Sequence, residues 1–150
     1  MSDQAQIEAR QAWMSLLAKC AADALDEHWQ GLAISPDHRI LRAPETGSVM
    51  VRGRTGATGM PFNLGEVTVT RCSVRLETGE EGHAYVQGRS REKAQQAALV
   101  DALLQTTHAE LVRTKVLDPL REQAEAIGAT RSAKAAATKV DFFTMARGGD

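Results

Sequence analysis

The chain has 150 residues, the size of one ordinary domain, and its charge is balanced at 18 Lys plus Arg against 19 Asp plus Glu. That balance excludes a polybasic nucleic-acid tail or an acidic disordered chain as the whole molecule. Of the 43% hydrophobic residues, 24 are Ala, while Leu, Ile, Val and Phe together number 30. This share lies at the edge of what builds a self-sufficient core, so the expectation is a folded domain with a thin core that completes itself against a partner.

The two cysteines, Cys20 and Cys72, form no C-x-x-C pair, and His28, His38, His83 and His108 show no metal-ligand spacing. No protein-borne metal is expected. No apolar run approaches the roughly 18 residues that span a bilayer. The start, Met1-Ser2-Asp3-Gln4, lacks the basic and apolar regions of a signal peptide, so a cytoplasmic location is expected. Charge is distributed unevenly. Residues 1–38 sum to −4 and residues 39–91 to +3, and all eight basic residues of the middle segment are Arg. Arg offers a planar fork to phosphate or carboxylate where Lys offers a point charge.

The first segment reads as helix, with Trp13, Leu16, Leu17, Cys20, Ala21, Ala24 and Leu25 on one face, a bend or break near Cys20–Asp23 and a stop at Gly31. The middle reads as strands. Ile40-Leu41-Arg42 is short and is followed by a Pro44–Gly47 turn. A strand follows around Val49–Val51, then a long one from Phe62 to Leu76, a Glu77-Thr78-Gly79-Glu80 hairpin turn, and a return over His83–Gln87. In the long strand Val67 and Val69 have one parity and Cys72, Val74 and Leu76 the other, which predicts a bulge or twist near Thr70–Arg71. Ser90 caps a further helix whose Ala94, Ala97, Ala98 and Ala102 allow close approach to the sheet. Asp118-Pro119 signals another helix start, and Gly128 an interruption. The expected fold is α+β: an antiparallel sheet of about four strands packed with helices from the N- and C-terminal segments. Residues 1–139 would form one domain, and 140–150 a partner-docking tail.

Three features can carry chemistry. In Arg52-Gly53-Arg54-Thr55-Gly56-Ala57-Thr58-Gly59, three glycines at intervals of three allow backbone N–H groups to converge on an anion, with Arg52, Arg54, Thr55 and Gly56 as candidate contacts. The same residues also suit a plain connection between strands. Arg71, Arg75, Gln87 and Arg89 can share one sheet face as phosphate or substrate ligands, or form a solvated surface paired to Glu66, Glu77 or Glu81. In the tail, Phe142, Phe143, Met145 and Arg147 concentrate two of the six aromatics in a segment suited to a partner's groove. No catalytic constellation is visible: Asp101 and Asp141 stand isolated, and His83 near Arg89 reads more readily as a structural or surface residue than as a general acid.

Two resemblances follow. Val86–Leu99 locally resembles the last strand and helix of a double-stranded-RNA-binding domain, with Glu92 and Gln95 where Lys would grip phosphate. Far more broadly, the chain resembles the G subunit of the bacterial carbon–phosphorus lyase core complex. The resemblance runs through Arg10-Gln11-Ala12-Trp13-Met14, Glu45-Thr46-Gly47, Arg54–Gly59, Phe62, Gly65, Thr70-Arg71, Val74-Arg75-Leu76, Val86–Arg89, Asp101-Ala102-Leu103, and Val140–Met145 with Arg147-Gly148. It implies assembly with H, I and J subunits. It implies participation, with I, H and an associated L protein, in displacing adenine from ATP by a phosphonate, giving a ribose 1-phosphonate 5-triphosphate. The nucleosidase centre would lie on I, and the iron–sulfur cluster with S-adenosylmethionine on J. This chain would carry no cofactor, and no nucleic acid or membrane is expected as a partner. Auxiliary subunit, purely structural scaffold and RNA-binding module remain the three readings.

Overall fold

The computed structural model of the chain describes residues 3–54 and 61–130, with residues 3, 51–54 and 61–64 by backbone alone. Helix α1 spans Asp3–Lys19 and α2 spans Ala22–Leu32, so the first segment breaks within the expected Cys20–Asp23 stretch. Strands β1 (His38–Arg54), β2 (Pro61–Leu76) and β3 (Glu81–Gln87) form an antiparallel sheet in the order β1-β2-β3. Helix α3 (Arg91–Leu103) crosses the sheet, and α4 (Ala109–Val112) runs through a π-helical turn, Arg113–Leu117, into helix over 118–130.

The sheet has three strands, not about four. The two short strands expected around a Pro44–Gly47 turn are one strand, β1, which runs through that sequence. Its pairing with β2 shifts register between Ile40 and Arg42 and again between Arg42 and Glu45, each time with one extra residue on β1. Pro44 is tolerated because β1 is an edge strand with bulges at that point, so the missing N–H need not remove a ladder bond. No bulge lies in β2 at Thr70–Arg71: β2 pairs with β3 without a break from Val69 to Arg75, and the irregularities lie in β1 near Pro44 and, further along β2, between Gly65 and Asn63. Thr70, Cys72, Val74 and Leu76 face the helices and are buried. By the same alternation Val67 and Val69 lie on the opposite face.

The helix limits show tertiary packing overriding local signals. Helix α2 does not stop at Gly31. It continues one residue to bury Leu32, and Ala33 takes the left-handed C-cap at φ +56°. Asp118-Pro119 does not begin a helix. The chain is already helical, and the wider π turn just before Pro119 relieves the clash and missing hydrogen bond that proline imposes on the preceding turn. The helix also passes through Gly128.

The core is thin in side-chain volume, and close approach offsets this. Ala94, Ala98 and Ala102 of α3 are fully buried, and Gly82 of β3 lies so near that a Cβ there would meet the Ala98 carbonyl oxygen at 1.9 Å. Leu17 and Leu25 from the N-terminal helices close the core with Leu103, Val112, Val116, Leu117 and Leu120. At the start of α3, Ser90 Oγ accepts the Lys93 N–H at 3.0 Å, the expected cap. Lys93 is itself buried: its Nζ donates to the Ala18 carbonyl near the end of α1 at 3.0 Å, and burial pushes the amine below its usual value.

Candidate functional site

The face of the sheet turned away from the helices is polar. Its side chains fall into cross-strand rows because directly paired residues share a face. In the first row Arg39 lies opposite Arg75, and Arg75 opposite Glu81, with which it forms an ion pair. In the second Arg42, Ser73 and His83 are aligned, and Ser73 Oγ is 2.9 Å from His83 Nδ1. The other ring nitrogen of His83 lies 3.9 Å from Glu81 Oε2. In the third Glu45, Arg71 and Tyr85 are aligned, with the Arg71 guanidinium 6.0 Å from the Tyr85 ring centroid and Arg42 3.8 Å from Glu45. Four arginines thus share the face with two glutamates, leaving an excess of positive charge.

Behind this face is a buried anchor. Asp101 of α3 is fully buried, and its carboxylate accepts from Arg10 Nε at 3.2 Å, Arg10 Nη2 at 2.9 Å, Trp13 Nε1 at 2.7 Å and the His83 backbone N–H at 2.9 Å. One carboxylate therefore ties α1, α3 and β3 together. The Asp101 hydrogen bond raises the Arg10 pKa above its usual value, against the effect of burial. Gln105 Nε2 adds a bond to the Glu81 carbonyl at 2.8 Å. The strand carrying Glu81 and His83 is held in place from the helix side while their side chains project outward.

The outer face has the chemistry of an anion-recognition surface and lacks that of an enclosed active site. Guanidinium groups present paired N–H donors to oxyanions, and the Ser73–His83 pair can accept or release a proton. Yet the side chains of Arg75 and His83 remain about half exposed. The neighbouring hollow, about 430 Å³, touches the face only at Arg39 and Arg75 and is otherwise lined by Asp37, His38, Leu76 and Glu77. A larger cleft of about 800 Å³ lies on the helical side, beside Gln6, Ile7, Arg10, Trp13 and Arg113.

The anticipated residues divide into separate groups. Arg71, Arg75 and Gln87 do share the outer face, and Arg89 lies just past the end of β3, exposed. The expected alternative is realised in part, since Arg75 is paired with Glu81. Arg52 and Arg54 lie at the far end of the β1–β2 hairpin. The position paired with Arg52, Asn63, is eight residues along β2 from Arg71, about 26 Å at the usual rise. Arg52 and the Arg71–Arg75 row therefore cannot grip one phosphate group together. Thr55 and Gly56, like Phe142, Phe143, Met145 and Arg147, lie outside the described residues.

Ser73, Glu81, His83 and Tyr85 meet across β2 and β3, a grouping that the register of the hairpin turn fixes. The Arg10–Trp13–Asp101 anchor joins residues 91 and 88 positions apart, for which no local pattern exists. Among the described residues no cluster of three or more His, Cys, Asp or Glu could hold a metal ion.

The family described as phosphonate metabolism protein PhnG matches residues 8–148. Alpha-D-ribose 1-methylphosphonate 5-triphosphate synthase subunit PhnG of Rhizobium meliloti (strain 1021) is 41% identical over 149 residues, covering 99% of this chain and 96% of the relative. The chain belongs to the PhnG family of phosphonate metabolism proteins.

Proposed function

We propose that this chain is an auxiliary subunit of the carbon–phosphorus lyase core complex. In that role it supports the phosphonate-dependent displacement of adenine from ATP that yields a ribose 1-phosphonate 5-triphosphate. The observation that carries the reading is the open arginine-bearing sheet face. It suits a triphosphate or phosphonate, and among the described residues it encloses no volume from which water is excluded, so it acts under the cover of other chains. The partners are the H, I and J subunits and the L protein, in the cytoplasm. ATP is a substrate of the assembly, and the iron–sulfur cluster and S-adenosylmethionine belong to the J subunit. The transferase and lyase chemistry thus resides in the complex.

Arg71→Ala and Arg75→Ala, each in the assembled complex, are expected to lower ATP- and phosphonate-dependent product formation at least tenfold while leaving assembly intact. Unchanged turnover would refute the phosphate role and leave a scaffold, a reading that the Arg75–Glu81 pair favours. Removal of residues 140–150 is expected to abolish co-purification with the larger subunits; retained assembly would refute tail docking. The RNA-binding reading is disfavoured by Lys93, whose ammonium is turned inward to the Ala18 carbonyl instead of outward to phosphates.

A further inference from the structure

We propose that the distal half of the β1–β2 hairpin, residues 47–54 with 61–68, is an assembly arm that inserts against another subunit of the complex. The sheet is three strands wide only where β3 pairs, from Val69 to Arg75. Beyond the backbone bond from Gly88 N–H to the Thr68 carbonyl at 2.8 Å, the hairpin continues as a two-stranded ribbon to Arg54 and Pro61. None of its described side chains, at 47–50 and 65–68, is buried. No other described strand pairs with either edge of this stretch. A two-stranded ribbon without a third strand or a covering helix is marginal in water. A long unpaired edge is normally blunted by proline, charge or bulges. Here Pro44 and two register shifts protect the proximal part of β1; pairing then runs unbroken from Glu45 to Val51, and a third shift follows between Val51 and Arg52, close to the tip.

The chemistry of the ribbon specifies its occupant. One face carries Val49 opposite Val67 and continues into the buried Val69, a β-branched stripe. The other carries Ser48 opposite Thr68 and Met50 opposite Glu66, with Met50 50% exposed. The ladder places Arg52 and Arg54 at the tip. The arm therefore fits an apolar surface with an acidic rim on a partner subunit. This inference rests on the subunit reading above.

The test is Val67→Asp in the full chain, co-expressed with the other subunits, alongside hydrogen–deuterium exchange of the unaltered chain alone and assembled. The variant is expected to melt within about 2 °C of the unaltered chain when isolated, because Val67 belongs to no core, and to lose co-purification at least tenfold. Amides of 47–50 and 65–68 are expected to exchange at least tenfold more slowly in the complex. Full assembly of the variant, or equal exchange in both states, overturns the arm while leaving the subunit reading intact. Failure of the unaltered chain to co-purify overturns both. Loss in the variant of self-association by the isolated chain, with assembly unaffected, assigns the arm to a second copy and overturns the proposal as stated.

Discussion

The two ends of the β1–β2 hairpin are built from the same strands but under different physics. At the proximal end β3 and α3 complete the sheet, alternate residues of β2 are buried, and Thr70 Oγ1 links neighbouring strands through the Gly88 carbonyl at 2.8 Å and Thr46 Oγ1 at 3.1 Å. At the distal end the ladder continues, but no described side chain is buried. Backbone pairing alone thus extends a strand. Only packing against a second layer gives it stability of its own.

The contrast can be broken most severely from the proximal side. Asp101→Ala removes four hydrogen bonds and leaves the Arg10 guanidinium without its carboxylate partner. A loss of about 3–5 kcal/mol is expected, read as a lower denaturation midpoint in urea. Gly82→Ala places a methyl group against the Ala98 carbonyl, where only backbone could yield. Overpacking of this kind is expected to cost about 3 kcal/mol, seen as a lower thermal midpoint with loss of native near-ultraviolet dichroism. On the outer face Arg75→Ala removes a half-exposed ion pair, and its effect on stability is expected to stay below about 1 kcal/mol, with the change confined to turnover of the complex. The smallest effect on the isolated chain is expected from Val67→Asp, whose consequence is for assembly. If Val67→Asp destabilised the lone chain as much as Gly82→Ala does, the distinction between the two ends of the hairpin would fail.

Local chemistry made part of this legible in advance. The break between α1 and α2, the Glu77–Glu80 turn, the Ser90 cap and the alanine face of α3 follow from short-range rules, and the structure contains each of them. The joining of two expected short strands into β1 did not, because Pro44 and Gly47 have the same local signature whether the chain turns or bulges along an edge. The cross-strand alignment of Ser73 with His83 needed only the hairpin register. The attachment of Arg10 and Trp13 to Asp101 needed the whole fold.

The sequence by itself determined a normal length with scarce large apolar residues, an arginine-bearing middle, and the family to which the chain belongs. It also determined the means by which a thin core works, since alanines on α3 and a glycine on β3 are residues whose small size permits close approach. The tertiary structure alone decided where the arginines fall. Strand parity and register set Arg71 and Arg75 on an open face, and hairpin length put Arg52 about 26 Å from Arg71, with Arg54 further still. Residue identity fixes what a side chain can bind; pairing across strands distant in sequence fixes which side chains can bind together.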